Sequence, residues 1–385
     1  MAEARAMIGL TRSEALPHTD FIASAERDRN TKYIAPSLDR LTSTYASGFN
    51  TSWEIDLWGK LRQKIRASKF EWQASEETRK GVLITLVADV AQNYFLLSDL
   101  DLELQIAEDT LKTRQETYNL FEKQLRGGVA SELETSQASG DLYETAATIP
   151  NLKRQITIVE NTLCILLGRN PGPIERGESL ADQKQIPKTP ASGLPSALLN
   201  RRPDVMEAEF TLKAANATVG AAVGEFMPSL DLAQFIGGEG RTPSNIWNAD
   251  GYVWSIGGDA KLPIFKGGKN VYNYKATKAQ WEQAVDQYKK TVISAFADVS
   301  NALADIHRFA EMREQLEKEV ESDRKGAKLS RIRYEGGFSS YLEVLDAERR
   351  RFASETNLAK TKGRQFISFA QLYRALGGGW QEEKV

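Results

Sequence analysis

The sequence predicts a mainly α-helical protein with a smaller β part, internally duplicated, in which long helical hairpins each carry a pair of strands. Three observations support this fold class. The chain matches itself at a fixed offset, long proline-free stretches show helical spacing of apolar residues, and alternating apolar and polar residues precede each of those stretches.

The duplication is visible at an offset of 209 positions, where residues 59–168 match residues 268–377 without a gap. We therefore predict a first repeat at 1–168, a second at 201–377 and a C-terminal tail at 378–385. The coincidences that carry this prediction are Gly59-Lys60 with Gly268-Lys269, Trp72 with Trp281, Ala88-Asp89-Val90 with Ala297-Asp298-Val299, Gly127-Gly128 with Gly336-Gly337, Leu133-Glu134 with Leu342-Glu343, and Leu167-Gly168 with Leu376-Gly377.

The two copies differ at their beginnings. The second begins near Arg201-Arg-Pro-Asp-Val205, which has no counterpart in the first, so we expect the chain to begin inside its first repeat. The N-terminal residues 1–5 lack the apolar core of a signal peptide. Between the copies, the stretch 169–200 contains five prolines and predicts an irregular connector of the equatorial type.

Strands are predicted at 19–27 and 43–58 in the first copy and at 229–238 and 252–265 in the second. Apolar and aromatic residues alternate with polar ones in the longer strands, as a lipid-facing barrel strand with a polar lumen requires. An ordinary antiparallel sheet with one face on a core gives the same pattern. The apolar sides consist of Tyr45, Phe49, Trp53, Ile55 and Leu57, and of Tyr252, Trp254, Ile256, Leu262 and Ile264.

Helices are predicted at 59–125 and 131–167, and again at 268–333 and 340–376. Apolar residues recur in steps of three and four, which indicates a coiled-coil-like seam. The first helix would be about 100 Å long. Paired glycines between the helices mark the turns, because glycine accepts a positive φ at a helix C-terminus. The seam residues are Leu83, Val87, Val90, Tyr94 and Leu97, and Val292, Phe296, Val299, Leu303 and Ile306.

Four strands cannot close a barrel, and lipid does not tolerate open sheet edges. Three chains would supply twelve strands, within the size range of membrane barrels. The same threefold arrangement would place twelve long helices side by side as a tube. A trimer with a twelve-stranded β-barrel and an α-barrel is therefore expected from closure.

Composition excludes several classes of protein. Apolar residues make up 41% and charged residues 26%, as in folded proteins, and the net charge of −2 predicts no nucleic-acid partner. The sequence contains no uninterrupted run of 18 apolar residues, so it predicts no transmembrane helix. The lone Cys164 cannot form an intramolecular disulfide, and with His18 and His307 it makes no recognisable metal site. Because motifs for nucleophilic, phosphate-binding or zinc chemistry are missing, we expect neither an enzyme nor a cofactor.

Taken together, the motifs of the chain resemble the TolC-like outer-membrane factors, and among them the lipoprotein ducts of resistance-nodulation-division (RND) efflux pumps. The resemblance covers the whole chain, and the order of the motifs on the duplicated frame makes it specific. The motifs are Phe49-Asn-Thr-Ser-Trp-Glu-Ile-Asp-Leu-Trp-Gly-Lys60, Arg201-Arg-Pro-Asp-Val205, Tyr334-Glu-Gly-Gly-Phe-Ser-Ser-Tyr-Leu-Glu-Val-Leu-Asp346 and Ala375-Leu-Gly-Gly-Gly-Trp380.

This resemblance implies a homotrimer with its β-barrel in the lipid of a Gram-negative outer membrane and its α-barrel in the periplasm. The tip would meet a periplasmic adaptor (a membrane fusion protein) and, through it, an inner-membrane RND pump. Drugs, toxic compounds or metal ions would pass through it passively. The family's signal peptide and its lipid-bearing, palmitoylated cysteine are missing from the sequence in hand.

The resemblance also implies a gate. Glu343 and Asp346 match an acidic constriction, Tyr334 matches a gate-holding tyrosine and Glu134 its acidic partner, while Ser339 stands where some members carry an arginine. The i, i+3 spacing puts the two constriction carboxylates on one helix face, where converging charges would select cations and raise one another's pKa. A solvated helix face is the alternative.

The turns at Gly127, Gly128, Gly336 and Gly337 are the expected docking site of the adaptor. Leu133 and Leu342, which follow these turns, are expected to staple the hairpins rather than to touch a partner.

Two other functions remain open at this level. A soluble, elongated coiled-coil scaffold would explain the seams and turns, but not the aromatic alternating strands in both copies. The same duct fold could also serve type I protein secretion, and the C-terminal Ala-Leu-Gly-Gly-Gly-Trp favours the efflux branch by resemblance.

Overall fold

A computed structural model describes residues 1–29, 31, 33, 41–180 and 201–378 of the chain. Helices dominate, as the seams predict, and the four strands form the only sheet in these residues. The elements are α1 (Ala2–Ser13), β1 (His18–Arg29), β2 (Leu41–Ile55), α2 (Lys60–Arg126), α3 (Glu132–Leu166), α4 (Pro203–Gly224), β3 (Ser229–Gly240), β4 (Tyr252–Lys261), α5 (Lys269–Glu335) and α6 (Tyr341–Ala375), with short 3₁₀ turns at Pro243–Asn245 and Ala249–Gly251.

The chain forms two compact units, each built from parts of both sequence repeats. One contains Met1–Arg79 and Asp204–Val292, and the other contains Lys80–Pro203 and Ile293–Val385. Each unit therefore combines a part of the first repeat with a part of the second, whereas the sequence divides the chain into two consecutive repeats separated by the connector.

The first unit contains the sheet, with strand order β1-β2-β3-β4 and every neighbouring pair antiparallel. The register places Phe21 opposite Phe49, and their rings meet edge to face with centroids 5.4 Å apart. Trp53 and Trp254 are exposed although they lie on the apolar sides of their strands. Within the described residues, the apolar side of the sheet thus has no core to cover it.

The longer strands end earlier than predicted. β2 stops at Ile55 because Asp56 accepts hydrogen bonds from the backbone N–H groups of Leu61 and Arg62, which begins α2. β4 stops at Lys261, before Pro263, which has no N–H for a strand ladder. The alternation of apolar and polar residues at 57–58 and 262–265 therefore continues past the ends of the strands into loops.

The second unit contains two packed helical hairpins. In the first hairpin, α2 and α3 bury a shared apolar seam, and in the second, α5 and α6 do the same. Both seams follow the predicted spacing of three and four residues. The first consists of Leu97, Leu100, Ala107, Leu152, Ile156, Val159 and Leu163, and the second of Val299, Ala302, Ile306, Leu372 and Ala375.

Residues 169–180 of the connector have no regular secondary structure and lie on the first hairpin. Arg176 pairs with Asp101 at 2.8 Å and with Glu160 at 2.5 Å, and the Gly177 N–H donates to the Tyr94 hydroxyl at 2.8 Å. The rest of the predicted connector, 181–200, lies outside the described residues, as do 379–385, with most of the predicted tail and Trp380.

Arg202 of the motif at 201–205 has a structural role. The buried guanidinium of Arg202 donates to the carbonyl oxygen of Ala375, the last residue of α6, at 3.0 Å, and pairs with Asp298 of α5 at 2.9 Å. A cation at a helix C-terminus satisfies the free carbonyls there and stabilises the end of the helix.

One described helix is long and apolar enough by composition to span a membrane, although the sequence has no unbroken run of 18 apolar residues. Among the described helices, α2 contains an 18-residue window with a mean hydropathy of 1.4, only 17% of which is buried. Asp89 and several uncharged polar residues interrupt this apolar part of α2, so a search for unbroken apolar runs does not detect it. Helices that pack against other helices reach the same value, so this feature does not by itself place α2 in lipid.

Candidate functional site: the hairpin tips

Both helical hairpins turn at a pair of glycines, as predicted. In each turn the second glycine takes a positive φ, 72° at Gly128 and 76° at Gly337. The Gly128 N–H donates to the Leu125 carbonyl and the Val129 N–H to that of Gln124, and the second turn repeats both bonds. This is a Schellman motif, which satisfies carbonyls that the end of a helix leaves free.

Apolar side chains stand exposed beside these turns. Val129 is 80% exposed and Leu133 is 66% exposed, and in the second hairpin Phe338 is 80% exposed and Leu342 is 57% exposed. The expectation that Leu133 and Leu342 staple their hairpins is therefore wrong. Backbone hydrogen bonds close the turn of each hairpin, and both leucine side chains are exposed to solvent.

Glu134 has a structural role that the family resemblance does not include, although Ser131-x-x-Glu134 is the sequence signature of a capping box. Its carboxylate accepts from the backbone N–H of Ser131 at 2.9 Å, while the Ser131 hydroxyl accepts from the Glu134 N–H at 3.2 Å. This reciprocal capping box fixes the first turn of α3.

The charge of Glu134 affects the ionisation of Tyr334. Burial, with the Glu134 carboxylate second, raises the pKa of the Tyr334 hydroxyl above its usual value. The structure thus brings these two predicted gate residues near each other, although Glu134 accepts its hydrogen bonds from Ser131.

An aromatic cluster joins the two hairpins at the tip. The rings of Phe121 and Tyr341 meet edge to face at 4.4 Å, and Tyr334 lies 6.0 Å from the first and 5.8 Å from the second. Burial, with Asp141 second, raises the pKa of Tyr341 to about 12. The hydroxyl therefore stays protonated. Packing of this kind is typically worth about 1 kcal/mol per ring pair beyond the buried area.

Glu343 and Asp346 lie one turn apart on α6, and both are exposed to solvent. Glu343 pairs with Arg333 at 3.0 Å and Asp346 pairs with Arg350 at 2.7 Å. The i, i+4 spacing of Asp346 and Arg350 could have been found in the sequence. Arg333 could not, because it lies on α5 and reaches Glu343 across the turn.

Sequence reasoning missed a buried charge cluster above the tip. Asp141 of α3 pairs with Arg114 of α2 at 2.9 Å and with Arg349 of α6 at 3.0 Å. Burial lowers the pKa of Arg114, and the charge of Asp141 offsets part of this effect. No local motif contains these residues, which lie 27 and 208 positions apart in the chain.

The described residues contain no group of three or more His, Cys, Asp or Glu side chains that could hold a metal ion.

A model of the family described as "Outer membrane efflux protein" matches residues 1–169 and 194–378. Over 388 residues the chain is 34% identical to the cation efflux system protein CusC of Escherichia coli, covering 99% of this chain and 82% of CusC. It is also 34% identical over 378 residues to SrpC, the solvent efflux pump outer membrane protein of Pseudomonas putida, covering 98% of this chain and 80% of SrpC.

The fold is similar to that of solved channels. The open state of the Neisseria gonorrhoeae MtrE outer membrane channel superimposes with a TM-score of 0.87 at 30% identity. The match covers 98% of this chain and 84% of MtrE.

Proposed function

Because the chain belongs to the outer membrane efflux protein family, we propose that it is the exit duct of a tripartite efflux system and conducts small molecules passively from the periplasm to the exterior. Family membership makes the protein an outer-membrane transport protein rather than an enzyme, and it removes the soluble scaffold as an alternative. A protein-secretion duct gains no support from relatives that are named for cation and solvent efflux.

The observation that carries the proposal is the open sheet. β1 pairs only with β2 and β4 only with β3 among the described residues, so both outer strands have a free edge. Such edges are costly in lipid, and only closure removes them. Three copies would close a twelve-stranded barrel around a polar lumen, so we propose a homotrimer embedded in outer-membrane lipid.

The partners are proposed from the tips. An exposed apolar surface at the end of each hairpin, formed by Val129 and Leu133 in one and Phe338 and Leu342 in the other, suits docking of an adaptor beside the glycine turns. The adaptor would in turn connect the duct to an inner-membrane RND pump. Drugs, toxic compounds and metal ions are the proposed cargo, and the choice among them belongs to the pump.

The gate is proposed at Glu343, Asp346, Tyr334 and Glu134. In a trimer, three copies of α6 would bring six carboxylates from the first two positions around one axis. Carboxylate rings favour cations. Both side chains are exposed in the single chain, which supports this proposal because each can face a shared lumen while it pairs with its arginine.

Channel recordings in planar bilayers test the proposal. The full chain is expected to conduct with cation preference, and the double variant Glu343→Gln/Asp346→Asn is expected to lose that preference because the carboxylates are removed while the charges of Arg333 and Arg350 remain. Asp286→Asn, which neutralises an exposed carboxylate of an i, i+3 pair on α5, serves as the control. Equal selectivity in the double variant and the unmodified chain would exclude a constriction at α6.

A further inference from the structure

Both strands that lead into a long helix are followed by a stretch without acidic residues. The first repeat has five basic residues and no acid between Asp56 and Glu71, and the second has five lysines and no acid between Asp259 and Glu282. A basic junction therefore lies between β2 and α2 and again between β4 and α5. The cations are Lys60, Arg62, Lys64, Arg66 and Lys69 in the first junction, and Lys261, Lys266, Lys269, Lys275 and Lys278 in the second.

The two junctions differ in how their charge is neutralised. In the second, Lys266 and Lys269 are exposed, and neither forms an ion pair with any residue that the structure describes. Their charges are therefore available to an outside partner. In the first, three cations pair with acids that lie before the acid-free stretch. The pairs are Lys60 with Glu54 at 2.6 Å, Arg62 with Asp56 at 3.1 Å and Lys64 with Glu14 at 3.2 Å.

Exposed apolar side chains lie next to the two free lysines. Ile264 is 90% exposed and Phe265 is 88% exposed, and both follow the end of β4. At the offset of 209, Phe265 corresponds to Asp56, so the second junction exposes a ring where the first has a carboxylate that caps α2. Trp58 of the first junction is 52% exposed, and its Nε1 donates to the Pro228 carbonyl at 2.9 Å. That bond satisfies the only polar group of the indole, so the rest of its exposed surface is apolar.

A groove of about 640 Å³ joins the free lysines to this apolar surface. Its lining includes Trp58, Ile264, Phe265, Lys266 and Lys269. Four carboxylates also line it, and none of them pairs with either free lysine in the described part of the chain. Glu54 and Asp56 form the ion pairs given above, Glu225 accepts a hydrogen bond from Asn273 at 3.0 Å, and Asp231 accepts one from Ser229 at 3.3 Å.

In the proposed duct, this groove would lie at the level of lipid headgroups. The strands would cross the outer membrane and the long helices would extend into the periplasm, so their junction would meet the leaflet that faces the periplasm. Aromatic rings concentrate at such interfaces, and basic side chains close to a membrane surface attract anionic lipids. A phosphodiester headgroup with acyl chains matches both the lysines and the apolar surface, whereas a free phosphate has nothing to place against Ile264 and Phe265.

We propose that the groove binds an anionic phospholipid of the periplasmic leaflet. Lys266 and Lys269 contact the phosphate, while Ile264, Phe265 and Trp58 lie against the acyl chains. The unpaired lysines favour a lipid with a net negative charge over a zwitterionic one, because a zwitterionic headgroup carries its own cation. This inference rests on the proposed function, since the groove reaches lipid only if the strands form a membrane barrel.

Quenching of tryptophan fluorescence by brominated lipids tests the proposal. The full chain is reconstituted into vesicles of dioleoylphosphatidylcholine, and a rising fraction of the lipid is replaced by phosphatidylglycerol or phosphatidylcholine with brominated acyl chains. Trp58 in the groove and Trp254, which is 66% exposed on β4, would both lie within reach of these chains. Brominated phosphatidylglycerol is expected to quench at a lower fraction than brominated phosphatidylcholine.

Charge variants assign this preference to the groove. Lys266→Gln/Lys269→Gln is expected to lower it by about fivefold for each lysine, the factor that corresponds to roughly 1 kcal/mol per cation at a membrane surface. Lys266→Arg/Lys269→Arg keeps both charges and should keep the preference. The matched control, Lys289→Gln/Lys318→Gln, removes the same charge from exposed positions of α5 about 30 Å or more from Lys269 along the helix, and should leave the preference unchanged.

The outcomes distinguish this inference from the proposed function. Equal quenching of the unmodified chain by both brominated lipids would overturn the groove and leave the duct standing, whether or not the variants fold. An equal loss of preference in the control variant would also overturn it, because only total charge would matter. Displacement of brominated phosphatidylglycerol by the same concentration of inorganic phosphate would show a phosphate site instead of a lipid site. If neither lipid quenches, the strands do not lie in the bilayer, and the proposed function fails together with the groove.

Discussion

Individual charges buried along the helical seams are the residue-level feature with the clearest consequence for stability. Asp99 of α2 is 5% exposed, and its Oδ1 has no hydrogen-bond partner. It lies against Gly363 of α6, where a Cβ would come within 2.7 Å of the Asp99 Cγ, so only glycine allows the two helices to approach this closely. The charged groups around it are Glu103 of α2 and Lys360 and Arg364 of α6.

This environment makes the stability of the second unit depend on pH. Burial, followed by the charge of Glu103, raises the pKa of Asp99 from 3.8 to about 7, and the two cations offset only part of the effect. Below about pH 4 the carboxyl is protonated in both the folded and the unfolded chain. Between about pH 4 and pH 7 the unfolded chain binds fewer protons, so the free energy of unfolding falls as the pH rises.

We therefore expect Asp99→Asn to stabilise the protein at neutral and alkaline pH. The variant should gain on the order of 3 kcal/mol over the unmodified chain at about pH 8, because its amide carries no charge to desolvate. The gain should disappear near pH 4. Thermal melting of the detergent-solubilised protein, followed by circular dichroism at the two pH values, measures both effects.

Asp286→Asn is the control for this experiment, because that side chain is 79% exposed and should not change the melting temperature beyond the loss of a surface pair. The interpretation would be contradicted if Asp99→Asn shifted the melting temperature equally at both pH values, or lowered it at about pH 8.

At the scale of secondary-structure elements, the two hairpins show how similar sequences can end their helices differently. Ser131 caps α3 through a hydrogen bond from the Glu134 N–H, and Glu134 completes the box. Ser340 occupies the same place before α6, but its side chain makes no capping bond, and Glu343 pairs with Arg333 instead. The acid that caps one hairpin is thus not used as a cap in the other, where it pairs with Arg333 at the proposed gate.

This difference gives a matched pair of variants. Ser131→Ala should destabilise the protein by about 1 kcal/mol, the usual cost of losing an N-cap side chain. Ser340→Ala should change the stability little, because it has no such bond to lose. Chemical unfolding followed by helix dichroism measures both. Equal losses in the two variants would show that α6 is capped by its serine after all.

At the scale of the whole molecule, the described part of one chain leaves its sheet edges and much of its helix surface uncovered. Within those residues, strands β1 and β4 each pair on one side only, and apolar side chains such as Trp254 and Val87 are exposed. Surfaces of this kind are covered by lipid or by further copies of the chain.

We expect the detergent-solubilised protein to have a mass of about three times the 42.9 kDa of the chain when measured by light scattering with the detergent contribution subtracted. The far-ultraviolet dichroism of the same fraction should be dominated by helix. A monomer or dimer that is unchanged by detergent would contradict closure of the sheet by three chains.

Much of the fold could be predicted from the sequence because its signals are local or periodic. Helical spacing, strand alternation and the glycine pairs placed the four long helices and the four strands to within a few residues of those observed, whereas α1 and α4 were not predicted. Prediction failed where alternation continued past a strand end, as at Leu57 and Leu262, since a side-chain pattern cannot show where the ladder of hydrogen bonds stops. It failed also for Leu133 and Leu342, because exposure beside a turn depends on how the turn is closed.

The candidate site divides in the same way. Gly128 and Gly337 could be predicted from the chain because a turn of this type requires glycine. Glu343 and Asp346 were indicated by the family resemblance, and helical spacing adds only that they share one face. The sequence by itself therefore determined the duplicated frame, the hairpins and the face of α6 that carries the acids. Only the tertiary structure decided that Asp141 joins Arg114 to Arg349 and that Asp99 lies against Gly363. Those contacts join residues far apart in the chain, and their energies come from burial, which no local pattern encodes.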